Sequence, residues 1–138
     1  MQEGPLTITS LVEYSRRVFP EARFRTWTGT GFRDDSFAAV ADKGAQLAHA
    51  LTKLGIGIGD RVATFMWNNN EHQALYAGVP SMGAVMHTLN LRLSAEQAVF
   101  IINHAEDKVI FVDASVAPML AQYLPSTPGV QAWTGLRI

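Results

Sequence analysis

Apolar residues switch between helical and alternating spacing along this chain, and each switch marks an element. Residues 1–9 read as a loose lead-in. Ser10 is placed to cap a short helix over Leu11 to Val18, with Glu13 completing a Ser-x-x-Glu box, and Pro20 stops it. Arg23 to Thr28 alternates as a strand with one wet face does. Gly29-Thr30-Gly31 is a turn signal and Phe32 to Asp35 a return strand, so the segment predicts a β-hairpin. Ser36 then caps the clearest helix. Its apolar face is Phe37, Val40, Ala41, Gly44, Leu47, Ala48, Leu51 and Leu54, and Gly55 closes it in the left-handed conformation.

Beyond Gly55 the pattern alternates. Arg61 to Trp67 reads as an apolar strand. Asn68-Asn69-Asn70 can turn the chain and cap a helix, because asparagine accepts from free N–H groups and tolerates left-handed backbone. Residues 71–83 form a helix apolar nearly all round, with Pro80 kinking its last turn. A short strand at 84–88 precedes a helix opened by Ser94, with Gln97 completing a capping box, and ending at His104 or Ala105. Residues 108–112 are a β-rich run. Asp113 or Ser115 starts a last helix that ends near Tyr123, after which Pro125, Pro128 and Gly129 loosen the chain. Strands apolar on both faces, separated by helices, predict an α/β fold. Its parallel sheet is flanked by helices, with 61–67, 84–88 and 108–112 as neighbours and a short N-terminal β-hairpin at the side. No repeat, low-complexity tract or dividing linker interrupts it.

Composition narrows the function classes. The chain has 138 residues, 48% hydrophobic and 17% charged, with a net charge of −1, which excludes intrinsic disorder and gives no electrostatic footprint for nucleic acid. Cysteine is absent, so disulfide frameworks, thiolate metal sites and a cysteine nucleophile are excluded. Met1 to Pro5 shows no basic n-region and no apolar h-region. The apolar stretch Ala74 to Met86 is broken by Gly78, Pro80, Ser81 and Gly83. The expectation is a cytoplasmic protein with no signal peptide and no membrane span.

Candidate chemistry is sparse. His49, His72, His87 and His104 have no His-Glu-x-x-His spacing, and no metal site is expected of them. His87, at a strand end beside Thr88 and Asn90, has the best functional position, though a hydrogen-bonded structural role is the favoured one. Gly55, Gly57 and Gly59 follow a helix and open a strand, the reverse of a dinucleotide fingerprint, so a helix stop and tight turn are expected. The carboxylates Asp34, Asp35, Asp60, Glu106, Asp107 and Asp113 are the remaining candidates, and the adjacent pairs Asp34-Asp35 and Glu106-Asp107 are expected at turns as solvated charge. Asp113, at the carboxyl end of a strand, is the exception, since ligands of parallel sheets sit there. Its simpler role is to cap the following helix. No Gly-x-Ser-x-Gly elbow occurs. Trp27, Trp67 and Trp133 are expected in the core.

Read as connected text, Leu54-Gly55-Ile56-Gly57-Ile58-Gly59-Asp60-Arg61-Val62-Ala63 resembles the helix exit and first strand of the AMP-forming acyl-CoA synthetases. Gly83-Ala84-Val85-Met86-His87-Thr88-Leu89-Asn90-Leu91-Arg92-Leu93 resembles their next segment. So does Ile101-Ile102-Asn103-His104-Ala105-Glu106-Asp107-Lys108, running into Val109 to Asp113. The detail is closest to medium- and long-chain fatty-acid–CoA ligases, over roughly residues 10–124.

The resemblance implies part of the large domain of the adenylate-forming fold. It also implies an activity for the complete enzyme: ATP-dependent formation of an acyl-adenylate from a fatty acid, then transfer to coenzyme A. ATP, Mg and coenzyme A are expected there, and none is expected to be bound by this chain. The family's Ser/Thr-Gly-rich loop ending in Pro-Lys-Gly, its Tyr-Gly-x-Thr-Glu motif and its Thr-Gly-Asp motif do not occur in this sequence. The resemblance therefore assigns no catalytic, cofactor-binding or metal residue here, and residues 131–138 depart from it. The expectation is an N-terminal, incomplete domain over 1–138, inactive alone. The alternatives are a small non-catalytic α/β binding or interaction module, or a fragment that complements a separately encoded remainder. Helix 71–83 and strand 108–112 are expected to lack part of their cover, which implies self-association or contact with the missing remainder.

Overall fold

The computed structural model describes residues 4–136. The first helix, α1 (Ile8–Val18), starts ahead of expectation: Thr7, in extended backbone, accepts from the Ser10 N–H, so Thr7 is the cap and Ser10 lies inside the first turn. Two hydroxyls competed for one cap, and the upstream one stands in the extended conformation that a cap needs. Strands β1 (Arg23–Trp27) and β2 (Phe32–Ser36) pair antiparallel, with Trp27 opposite Phe32, and the Thr28 N–H donates to the Gly31 carbonyl across the turn. Ser36 caps α2 (Phe37–Lys53) through the Ala39 N–H, and Gly55 follows the helix with φ 82°.

The main sheet runs in the order β4-β3-β5-β6, all parallel. Strand β3 (Arg61–Phe65) leads through α3 (Asn70–Ser81) to β4 (Val85–Thr88), and β4 leads through α4 (Ala95–Ala105) to β5 (Val109–Asp113), which returns to the other side of β3. Ser94 and Gln97 form the expected capping box. Helix α5 (Ala117–Tyr123) and a 3-10 turn at Leu124–Ser126 lead to β6 (Ala132–Leu136). The expected neighbours are therefore parallel neighbours. The fourth strand was not anticipated. Ala132-Trp133-Thr134-Gly135 is a poor strand by propensity, and pairing against β5, with Trp133 opposite Ile110, supplies what its own composition lacks.

Side chains alternate across this sheet. Ala63, Phe65, Ile110 and Val112 pack with Ala98, Ile102, Leu120 and Tyr123, whereas Val62, Val109 and Phe111 pack with Leu51, Leu75 and Val79. Helices α4 and α5 thus cover one face, and α2 and α3 the other. Every residue of β5 is buried and β6 lines its edge, which corrects the expectation that this strand lacks cover. Helix α3 is less enclosed than its composition suggests. Ala74, Leu75, Gly78 and Val79 are buried, but Tyr76 reaches solvent. The tryptophans also correct expectation. Trp27, Trp67 and Trp133 are 58%, 52% and 48% exposed, because each sits at an element end or on an edge strand rather than between layers.

Glycine decides how closely α2 and α3 approach. A Cβ built on Gly78 would lie 2.3 Å from the Gly44 carbonyl oxygen, a separation that no neighbouring side chain could relieve by turning away. Gly78→Ala is expected to destabilise the chain by about 1–3 kcal/mol, at the upper end of overpacking costs, because backbone must move. Gly129→Ala meets nothing within 4 Å and should stay within about 0.5 kcal/mol of the parent. Urea titrations of both variants, compared at equal slope, check the contrast.

Candidate functional site

Strands β3 and β5 lie side by side, yet the chain leaves them toward opposite faces, β3 into α3 and β5 into α5. Such a switch point opens a crevice at the carboxyl ends of the strands, the usual place for a ligand in an open parallel sheet. Here it is filled by polar groups that bind one another. Asn69 caps α3: its Oδ1 accepts from the His72 N–H at 2.9 Å, and its Nδ2 donates to Asp113 Oδ2 at 3.2 Å. Asp113 Oδ1 accepts from the Ser115 N–H at 3.0 Å and the Ser115 hydroxyl at 2.8 Å, and Ser115 in turn accepts from Trp67 Nε1 at 3.0 Å. The expected cap role of Asp113 is corrected, since α5 begins at Ala117 with no side-chain cap. The carboxylate instead ties the ends of β3 and β5 together.

A second knot lies beside it. Asn70, buried at the first residue of α3, accepts from Thr26 Oγ1 at 2.7 Å and donates through Nδ2 to Asp35 at 3.0 Å, while its backbone N–H donates to the same threonine oxygen at 3.0 Å. Lys43 bonds Asp35 at 2.8 Å, and Arg33 pairs with Glu71. The hairpin is therefore pinned to α3 and α2 by charge-assisted bonds. Asp34 and Asp35 correct the expectation of solvated charge at a turn. They occupy β2 and point to opposite sides, Asp34 accepting a two-pronged pair of 2.8 Å bonds from Arg25. Burial pushes the Asp35 pKa up, and the bonds from Lys43 and Asn70 outweigh it, leaving the group below its ordinary value.

Thr64 and His72 form the one hydroxyl–imidazole pair in this crevice, at 3.0 Å between Oγ1 and Nε2. That is the spacing of a nucleophile and its base, but both residues are buried, so no substrate can reach them. Burial lowers the His72 pKa, with a backbone contact at Trp67 opposing. Sequence reading passed over Thr64, Asn69 and Ser115 as partners. The asparagine run was the available signal.

The opposite end of the sheet holds the glycine loop. Gly57 N–H donates to Asp60 Oδ2 at 2.8 Å, and Asp60 also pairs with Lys108 at 2.7 Å. The run is the expected tight turn, with Gly55 and Gly59 at positive φ and the chain's own Asp60 carboxylate in its curl. His87 Nδ1 lies 2.9 Å from both oxygens of Asp107, the structural bond expected of it. Glu106 is exposed as expected, whereas Asp107 is buried, a correction that follows from the left-handed turn at Glu106 carrying its successor inward. His104 stacks on Phe100 and His49 is exposed. No group of three His, Cys, Asp or Glu residues among the described residues could hold a metal ion. An apolar groove of about 180 Å³ runs between α1, α2, α3 and the hairpin, lined by Leu11, Phe24, Phe37, Val40 and Tyr76 among others.

A profile of the AMP-binding enzyme family matches residues 12–133. The chain belongs to that family. It is 39% identical over 95% of its length to the 3-methylmercaptopropionyl-CoA ligase of Ruegeria pomeroyi, and 38% identical over 96% to the medium-chain-fatty-acid–CoA ligase of Ectopseudomonas oleovorans. It spans 24% of each of those relatives. Among solved structures it is similar to the inhibitor-bound N-terminal domain of FACL13 from Mycobacterium tuberculosis. There the TM-score is 0.85 and the identity 28%, covering 94% of this chain and 33% of that one. The segments that carry the family resemblance are the exit of α2 into β3, β4 with its link to α4, and the junction of α4 with β5. These build the sheet, and Asp60, Arg61, His87, Asp107 and Lys108 among them bond one another or neighbouring backbone.

Two measurements test this description. Asp113→Ala strands Asn69 Nδ2 and the Ser115 donors, so it should cost about 1–3 kcal/mol and shift the Trp67 emission as the indole loses its fixed partner. His72 gives a pH dependence. Its folded pKa lies below the ordinary 6.5, so its stability contribution is complete above that value and is lost as pH falls through it toward the folded pKa. Thermal unfolding from about pH 7.5 to 5 should show that acid limb flattened in His72→Gln, which cannot take up the proton.

Proposed function

We propose that this chain is the N-terminal lobe of an AMP-forming fatty-acid–CoA ligase, an incomplete AMP-binding domain over residues 1–138 that supplies scaffold and no catalytic or cofactor-binding residue. One observation carries the reading: the match to acyl-CoA ligases runs through 95% of the chain while spanning 24% of the relative. In the complete enzyme a fatty acid and ATP, with Mg, would yield the acyl-adenylate, and coenzyme A would receive the acyl group. The setting is the cytoplasm, and the described helices fit it in that none is long and apolar enough to cross a membrane. Contact with the rest of such an enzyme, or with a second copy, belongs to the same reading.

Inactivity of the isolated chain follows from its residues. Adenylyl transfer depends on loops and cations aimed at developing charge. The sequence has no Pro-Lys-Gly loop, and the carboxylates at the ends of its sheet are already bonded within the chain, Asp113 by Asn69 and Ser115, Asp107 by His87 and Asp60 by Lys108. Fatty-acid-dependent exchange of labelled pyrophosphate into ATP, with chain purified free of host synthetase, is expected to match a heat-killed control. Exchange above that control that survives repurification would overturn the proposal.

A further inference from the structure

Where α4 hands over to β5, ionisable side chains gather from separate segments: Asp60 before β3, Arg61 on β3, His87 on β4, and Glu106, Asp107 and Lys108 in the connection itself. Their partners are divided. Lys108 takes Asp60 at 2.7 Å. Arg61 is spent on Glu106 and on the carbonyls of Ala105 and Gly59. Asp107, whose side chain is 0% exposed, has the His87 ring as its side-chain partner, with Nδ1 2.9 Å from each carboxylate oxygen. Three carboxylates against Arg61 and Lys108 leave one negative charge, and a proton on His87 cancels it. His104, in the last turn of α4, is stacked on Phe100 and does not enter this balance.

The position of His87 makes this balance consequential. Among the described residues, strand β4 is the outermost strand on its side, paired with β3. Its backbone bonds at the two ends run from the Val85 N–H to Asp60 and from the Leu89 N–H to Thr64. The His87–Asp107 bond reaches beyond β3 to the start of β5, fastening the edge strand to the interior of the sheet. We propose that His87 and Asp107 form a proton-operated latch on β4 and on the Leu89–Ser94 connection that leads into α4. With His87 charged, the buried carboxylate has a true ion-pair partner. As pH rises and the ring loses its proton, a single hydrogen bond must hold a desolvated carboxylate, and the edge loosens. Burial raises the Asp107 pKa, with His87 and Arg61 opposing, which marks the same carboxylate as the desolvated member of the cluster.

The test is a titration of the full chain by NMR from about pH 5.5 to 8.5, the range in which histidine charge changes. It follows the His87 ring together with amide protection at Val85 to Leu89, corrected for the intrinsic pH dependence of exchange. Protection should fall about fivefold or more in step with loss of the His87 proton. In Asp107→Asn, which removes the carboxylate charge, the step in protection should vanish. His87→Gln, which keeps a donor without a titration, should hold β4 at one pH-independent level, and it decides the matter if Asp107→Asn does not fold. Flat protection across the wild-type His87 titration, or a persistent step in Asp107→Asn or in His87→Gln, would each overturn the latch.

Discussion

Burial of β5 on both faces and along both edges is the constraint on which the rest of the structure depends. A parallel strand enclosed by helices above and below, with β3 and β6 beside it, can carry only apolar side chains within the sheet. Its polar neighbours must then be met at its ends. Asp107 at one end and Asp113 at the other are both buried, and each is satisfied by a residue of another strand or helix, His87 and Asn69 respectively. The hydrophobic strand and the two polar knots are therefore one solution. Unpaired carboxylates at those positions would each cost more than a buried leucine contributes.

That solution explains why a family resemblance confined to scaffold can still be specific. The helix exit into β3, the β4 segment and the α4–β5 junction are the places where the chain must reverse direction at fixed geometry. Gly55, Gly59 and Gly83 adopt positive φ there, and Glu106 does so without being glycine. Turn geometry and buried pairing constrain those residues more tightly than an apolar position in a helix, where one aliphatic side chain substitutes for another.

Much of the fold was legible because it rests on local signals. The Ser94–Gln97 box, the Ser36 cap, Gly55 and the strand–helix alternation each act within a few residues. What was not legible depends on partners distant in the chain. Asn69 meets Asp113 and Thr26 meets Asn70 across 44 positions, and no spacing rule anticipates either. Strand β6 was missed for the same reason, being made by the neighbour it pairs with. The tryptophans misled because a large ring was weighed by its hydrophobicity alone, whereas Trp67 keeps its indole N–H bonded to Ser115 and leaves much of its surface in water.

The contact of Gly44 with Gly78 has a mechanical consequence. Two helices whose backbones touch cannot slide past one another without a clash, so α2 and α3 behave as a stiff plate rather than two rods. The hairpin is bolted to that plate at both ends, running directly into α2 through Ser36 and held to the first residue of α3 through Asn70. A force applied to the hairpin tip at Trp27 and Phe32 is therefore delivered to the whole plate at once.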